Sequence, residues 1–312
     1  MTHTARLLTA SLLLGAVTLH AAPASAQLSG HNLRGDFGLM SGSQPGPGVY
    51  FLVPAARYDT NTIKDRSGNP LNLPGDLGVN AFFPTAFVVT NWTLFGGTYG
   101  FMVSPPMINT RYESPNFDVD GGMAFTDMYL VPVNLGWHTP RADFTVGYGL
   151  YVPTGRYDID ADDNVGLGMW SHEIAAGMTA YLDDEKNWHA ATTMFYELHS
   201  GKEGSDAKVG DLVTLEGGVG RSFIQGAGSV GVAYFAQWKA TADTLTGLPG
   251  LLLPGKNKVF GIGPELTMPF FASGPWAGLV TLRYQWDFGA RSSFEGQTFN
   301  IAVTIARIGW GG

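Results

Sequence analysis

The feature that most constrains this chain is a strict alternation of apolar with polar or small residues, held over segments of about 11 to 14 positions. From Phe144 the even positions read Phe144, Val146, Tyr148, Leu150, Val152 and the odd ones Asp143, Thr145, Gly147, Gly149, Tyr151. Successive side chains on a strand point to opposite faces, so this period builds sheet with one apolar face and excludes an amphipathic helix. Trp276 to Phe288 repeats the pattern, with Val280, Leu282, Tyr284, Trp286 and Phe288 opposed to Thr281, Arg283, Gln285 and Asp287. Val259 to Phe271 and Trp188 to His199 follow it as well, and their polar faces carry Glu265, His189, Glu197 and His199. Past the first residues no apolar run is long enough for a helical span, so a membrane could be crossed only by a closed barrel.

Alternation alone fits a soluble sandwich or a membrane barrel. Three features favour the barrel. The apolar faces begin or end in aromatics, among them Trp137, Trp170, Trp188, Trp238, Trp276 and Trp286, where interfacial girdles fall. The segments are longer than the usual soluble strand of about 5 to 6 residues. Short turns near 93–96, 138–141, 183–187, 224–227 and 272–275 alternate with longer polar or glycine-rich loops. The reading is an all-β, antiparallel transmembrane barrel of about 12 strands over residues 50–312, at 50–58, 81–92, 97–107, 125–137, 142–154, 168–182, 188–199, 210–223, 229–239, 258–271, 276–288 and 296–310. An even number with short periplasmic turns predicts both termini in the periplasm.

The chain opens with an export signal: Arg6, an apolar run from Leu7 to Leu19, and the small residues Ala24-Ser25-Ala26, after which cleavage is expected. Removal of 1–26 takes one of 18 Lys+Arg and none of 26 Asp+Glu, leaving a net charge of −9. An acidic chain without a basic patch does not suit nucleic acid. With no Cys, neither disulfides nor thiol chemistry is available. The expected location is the outer membrane of a Gram-negative bacterium, with lipid and lipopolysaccharide around the barrel and the barrel-assembly machinery as a partner during insertion.

Pro153-Thr154-Gly155-Arg156-Tyr157, followed by Asn164-Val165-Gly166-Leu167-Gly168-Met169-Trp170-Ser171, resembles the family of outer-membrane transporters named after the meta-pathway of phenol degradation. Asn134-Leu135-Gly136-Trp137, Leu215 to Phe223, Val232 to Lys239 and Pro45 to Tyr50 are similar to the same family, so the likeness covers most of the mature chain. It implies a barrel channel for aromatic or other hydrophobic compounds, and it brings no catalytic residues with it. The ending Trp310-Gly311-Gly312 departs from a terminal aromatic.

Twelve strands enclose a narrow lumen. The residues expected to line it are Asp143, Glu173, His189, Glu197, His199, Glu216, Glu265, Arg283, Gln285 and Asp287, with Gln237 and Lys239. They read either as a self-satisfying network that stiffens the barrel or as a path for small solutes. Residues 27–49 precede the first strand and are expected as a periplasmic segment that is either a plug in the lumen or mouth, or a loose tail. The loop carrying Leu245, Leu248, Leu251, Leu252 and Leu253 lacks charge and reads as a landing surface for a hydrophobic ligand or as a segment packed on the rim or lipopolysaccharide.

Asp158, Asp160, Asp162, Asp163 and Asn164 start like a calcium loop, but Met169 stands where a bidentate Glu is needed. His189, Glu197 and His199 share a strand face at spacings too wide for closed zinc coordination. Ser171 and His172 face opposite sides of a strand, and no G-x-S-x-G elbow occurs. No catalytic, cofactor or metal residues are therefore expected. The function expected is an outer-membrane channel for small hydrophobic or aromatic compounds; the alternatives are a structural barrel with a plugged lumen and a membrane-embedded hydrolase.

Overall fold

The computed structural model describes residues 29–309 apart from 72–74, 116–117, 160, 162, 225 and 245–255. The export signal and the leucine-rich loop lie outside the described residues. Strands form where the alternation predicts them: β1 (Gly48–Thr60), β2 in two segments (Asp76–Phe82 and Thr85–Leu94), β3 in two segments (Gly97–Ser104 and Met107–Glu113), β4 (Met128–His138), β5 (Ala142–Val152), β6 (Ser171–Tyr181), β7 (Trp188–His199), β8 (Leu212–Phe223), β9 (Gly228–Lys239), β10 (Lys258–Ser273), β11 (Trp276–Arg291) and β12 (Gln297–Ile308). Each pairs antiparallel with its neighbours in sequence, and β12 pairs β1 from Gly48↔Ile308 to Asp59↔Gln297. The result is a closed barrel of 12 strands, and above Pro105-Pro106 the outer edge of β3 is paired by the short segments Asp118–Asp120 and Ala124–Phe125 instead of by β4.

Two strands are longer than the sequence pattern indicates. β2 starts at Asp76 and β3 runs to Glu113, each interrupted by proline, at Pro84 and at Pro105-Pro106. Proline cannot donate to the ladder, so both strands break there. Beyond the breaks, Asn80, Asn109 and Arg111 replace apolar residues on the outward row, which erases the alternation that marks the lower halves.

The outward rows carry Phe144, Val146, Ile174, Met194, Val219, Val232, Ile262, Met268, Leu282 and Phe299, all exposed. So continuous an apolar belt needs hydrocarbon around it. Trp188 and Trp276 stand at the short-turn rim and Trp170 and Trp286 at the long-loop rim, all exposed, as two interfacial girdles.

Inside, apolar packing is confined to small clusters such as Tyr50, Val89 and Ala306. The rest of the interior is polar and is occupied lengthwise by residues 29–47. His31 contacts Ser171 and lies close to His199 at the long-loop ends of β6 and β7, while Gln44 bonds Thr98 and Asn134 near the short-turn ends of β3 and β4. The segment thus begins near the long-loop rim and descends through the barrel to β1. Ser29–His31 lie at the opposite rim from Gly309, whose N–H donates to Pro47 O.

Candidate functional site in the barrel lumen

The segment 29–47 has no strand partner, and its backbone donors are met by inward carboxylates. Glu197 on β7 accepts the N–H groups of His31 at 2.7 Å and Asn32 at 3.0 Å. Glu216 on β8 accepts those of Gly35 and Phe37, both at 2.7 Å. Glu265 on β10 accepts from Leu39 at 3.3 Å and pairs at 2.7 Å with Arg283 on β11, which donates to Gly35 O. Buried N–H groups need partners, and these side chains supply what a ladder would. Glu173 and Glu197 stand directly opposite each other on β6 and β7, a repulsive arrangement. The Asn32 carboxamide donates to Glu173 at 2.7 Å, so donors of the segment serve both carboxylates.

The other expected lumen residues are placed with them. Asp143 accepts from Ser43 and Tyr181, and Asp287 from Arg34 and Tyr58. Gln285 is wholly buried beside Gly35, where an added Cβ would lie 2.2 Å from its Oε1. His189 is fully buried at the short-turn end of β7, remote from His199 in the same strand, so the two do not meet.

A second group was not visible in the strand pattern. Asp127, just ahead of β4, accepts from Gly155 N, Leu167 N and His31 Nε2 at 2.9, 2.7 and 2.8 Å. Gly155 and Gly166 touch, since a Cβ on Gly155 would lie 2.7 Å from Gly166 Cα. The Pro153–Ser171 motif therefore folds into a knot that fixes Asp127. Burial pushes the Asp127 carboxyl up, but the His31 bond and the backbone donors outweigh it and hold the group below its ordinary value. Ser171 Oγ lies 2.7 Å from His31 Nδ1 and 2.8 Å from His199 Nδ1. Tyr151 stacks on the His31 ring at 4.7 Å and on Tyr129 at 4.3 Å. The inward parity of β5 would have found Tyr151; His31 and Asp127 lie outside strands, where no period marks them.

Asp127, His31 and Ser171 have the atom types of a hydrolytic triad, but Ser171 is 0% exposed and its hydroxyl is shared between two imidazoles. Nucleophilic attack needs a substrate carbonyl beside the oxygen, and this geometry gives it no approach.

The segment does not fill the barrel. Leu39 is buried, whereas Leu33, Phe37 and Met40 are 37%, 40% and 36% exposed to the space that remains. Phe37 leans on inward Phe195, ring centroids 5.0 Å apart. Asp36 is exposed to the same space.

Two features lie outside the lumen. The upper parts of β1, β2 and β3 form a polar concavity on the outer face, lined by Arg57, Asp59, Asn80, Asn109, Arg111 and Asp120. It adjoins an apolar patch with Phe82, Met107, Phe299 and Ile301. In the acidic loop, Asp163 pairs with Arg156, and the Asn164 carboxamide bonds both backbone groups of Asp158, while Asp160 and Asp162 are outside the described residues.

Residues 60–303 match the family model described as "Putative MetA-pathway of phenol degradation". The chain belongs to this family. No curated protein matches the sequence closely enough to count as a relative. The family fold is similar to that of the COG4313 outer membrane channel from Pseudomonas putida F1, at 14% identity, 88% coverage of this chain, 99% of that one and a TM-score of 0.67. The CymD monoaromatic hydrocarbon channel is also similar, at 10% identity, 86% coverage of this chain, 90% of that one and a TM-score of 0.38.

Proposed function

We propose that this family member is an outer-membrane channel for small, uncharged hydrophobic or aromatic compounds, whose lumen is narrowed and shaped by residues 29–47. The observation that carries the reading is the row Leu33, Phe37 and Met40, apolar side chains presented to the space left inside an otherwise polar barrel. Apolar surface kept open in a polar interior is the usual mark of a contact site for an apolar ligand. Asp36 is exposed beside that row, and the lumen carries further carboxylates behind the segment at Glu173, Glu197 and Glu216, so anionic solutes are disfavoured. The match to a channel of known structure supports the fold part of this reading, and the apolar row supports the solute class. Short turns close the rim beside Gly309, as they do at the periplasmic face of bacterial barrels, and in that orientation the outer-face groove above the belt meets lipopolysaccharide headgroups.

Replacing Leu33, Phe37 and Met40 together by serine tests the assignment. In vesicles with lipopolysaccharide in the outer leaflet, uptake of labelled p-cresol through the variant falls severalfold, while leakage of a small sugar does not fall. Equal p-cresol uptake by variant and parent would remove the apolar row from the function.

A further inference from the structure

At the long-loop end of the lumen, two elements far apart in sequence bring three donors of metal-binding chemistry together. His31 Nδ1 and His199 Nδ1 each lie 3.5 Å from Glu197 Oε1, and the three ligand atoms fall within 4.8 Å of one another. Four donors at about 2.0–2.1 Å around a zinc ion stand about 3.3 Å apart along each edge. Two of the three edges are thus close to that length before any adjustment. Along the third, the Ser171 hydroxyl lies against both nitrogens, and rotation about its Cα–Cβ bond lets them approach a common centre.

The surroundings hold the donors as an ion requires. Asp127 accepts from His31 Nε2 at 2.8 Å, which makes Nε2 the protonated nitrogen and leaves Nδ1 free to act as a ligand, 2.7 Å from Ser171 Oγ and 3.5 Å from Glu197 Oε1. Asp127 is itself fixed by two backbone donors, and Tyr151 stacked on the ring at an interplanar angle of 13° restrains its rotation. Gly30 lets the chain come this near, since a Cβ there would sit 2.6 Å from Glu197 Oε2. Glu173 faces Glu197 across the sheet, so negative charge is in excess and a cation offsets it.

We infer that His31, Glu197 and His199 form a site for a divalent transition-metal ion of the zinc class, with Asp127 as the group that orients His31. The set is two imidazoles and one carboxylate with a fourth position left to water, which suits zinc better than calcium or magnesium. Because His31 belongs to the lumenal segment and the other two ligands to β7, the ion ties the start of that segment to the barrel wall. This site is independent of the solute assigned above.

The test uses the whole mature protein, folded in detergent and stripped with a chelator, titrated calorimetrically with Zn²⁺ alone. Binding is expected at one ion per chain, with at least hundredfold weakening in His31→Gln and in His199→Gln. Asp127→Asn should weaken it about 10–100-fold, as loss of an orienting carboxylate does. Cobalt in place of zinc gives a visible spectrum of tetrahedral type in the parent and not in His31→Gln. Heat-modifiable migration reports whether each variant barrel is folded, and His31→Gln changes no strand residue. No saturable binding by the parent would overturn the site, and so would equal affinity in folded His31→Gln, which would place the ion at exposed histidines such as His138 and His172.

Discussion

Inside this barrel single carboxylates do the work that a neighbouring strand does elsewhere. Glu265 shows the cost of losing one: it receives the Leu39 N–H and neutralises Arg283, whose side chain is only 7% exposed. Glu265→Ala leaves that guanidinium buried and uncompensated, so urea unfolding of the refolded barrel should register a loss of about 3–5 kcal/mol. Lys202 supplies a pH test in a loop. Buried against Leu167 O, its ammonium is lowered to about 8 by desolvation, from 10.5. Between these values the unfolded chain holds the proton more often than the folded one, so stability rises with pH across that window. Subtracting the profile of Lys202→Met should isolate that rise, and identical slopes would contradict the burial. Parity marked Glu197, Glu216 and Glu265 as facing inward, because the period of a strand fixes it. Their partners were not legible: His31, Asn32 and Asp127 lie in irregular chain, and their meeting depends on closure of the barrel across 96 positions for His31 and Asp127 and 141 for Asn32 and Glu173.

The strands themselves could be read almost to the residue where one face meets lipid. β7 was expected at 188–199 and forms there, since its even positions are apolar except Thr192 and polar chain bounds it at the 183–187 turn and after His199. The upper halves of β2 and β3 stand above the belt and lose that pattern. Val146, outward on β5, tests the distinction: Val146→Arg should destabilise the barrel by about 2–4 kcal/mol when measured in bilayers, whereas Arg at outward Asn109 should be nearly neutral. The amino-terminal segment is an element of another kind, held by side chains alone. Its deletion over 29–44 should leave a heat-modifiable barrel with raised conductance to small ions, and unchanged conductance would mean that the segment does not narrow the path.

At the scale of the whole molecule, a closed polar-lined wall, an apolar belt and a threaded segment with an apolar row combine into a selective pore. Closure could be anticipated from the even strand count and the turn asymmetry. The lumenal course of the amino-terminal segment stayed one of two readings, because a glycine-rich run has the same composition whether it lies loose or crosses the lumen. The most direct test compares vesicles carrying the intact protein with empty ones, all with lipopolysaccharide outside, for entry of labelled p-cresol and of a sugar of similar mass. The account predicts protein-dependent entry of p-cresol that clearly exceeds that of the sugar. Entry of both at the rate of empty vesicles, from a barrel verified as folded, would contradict it and leave a structural barrel.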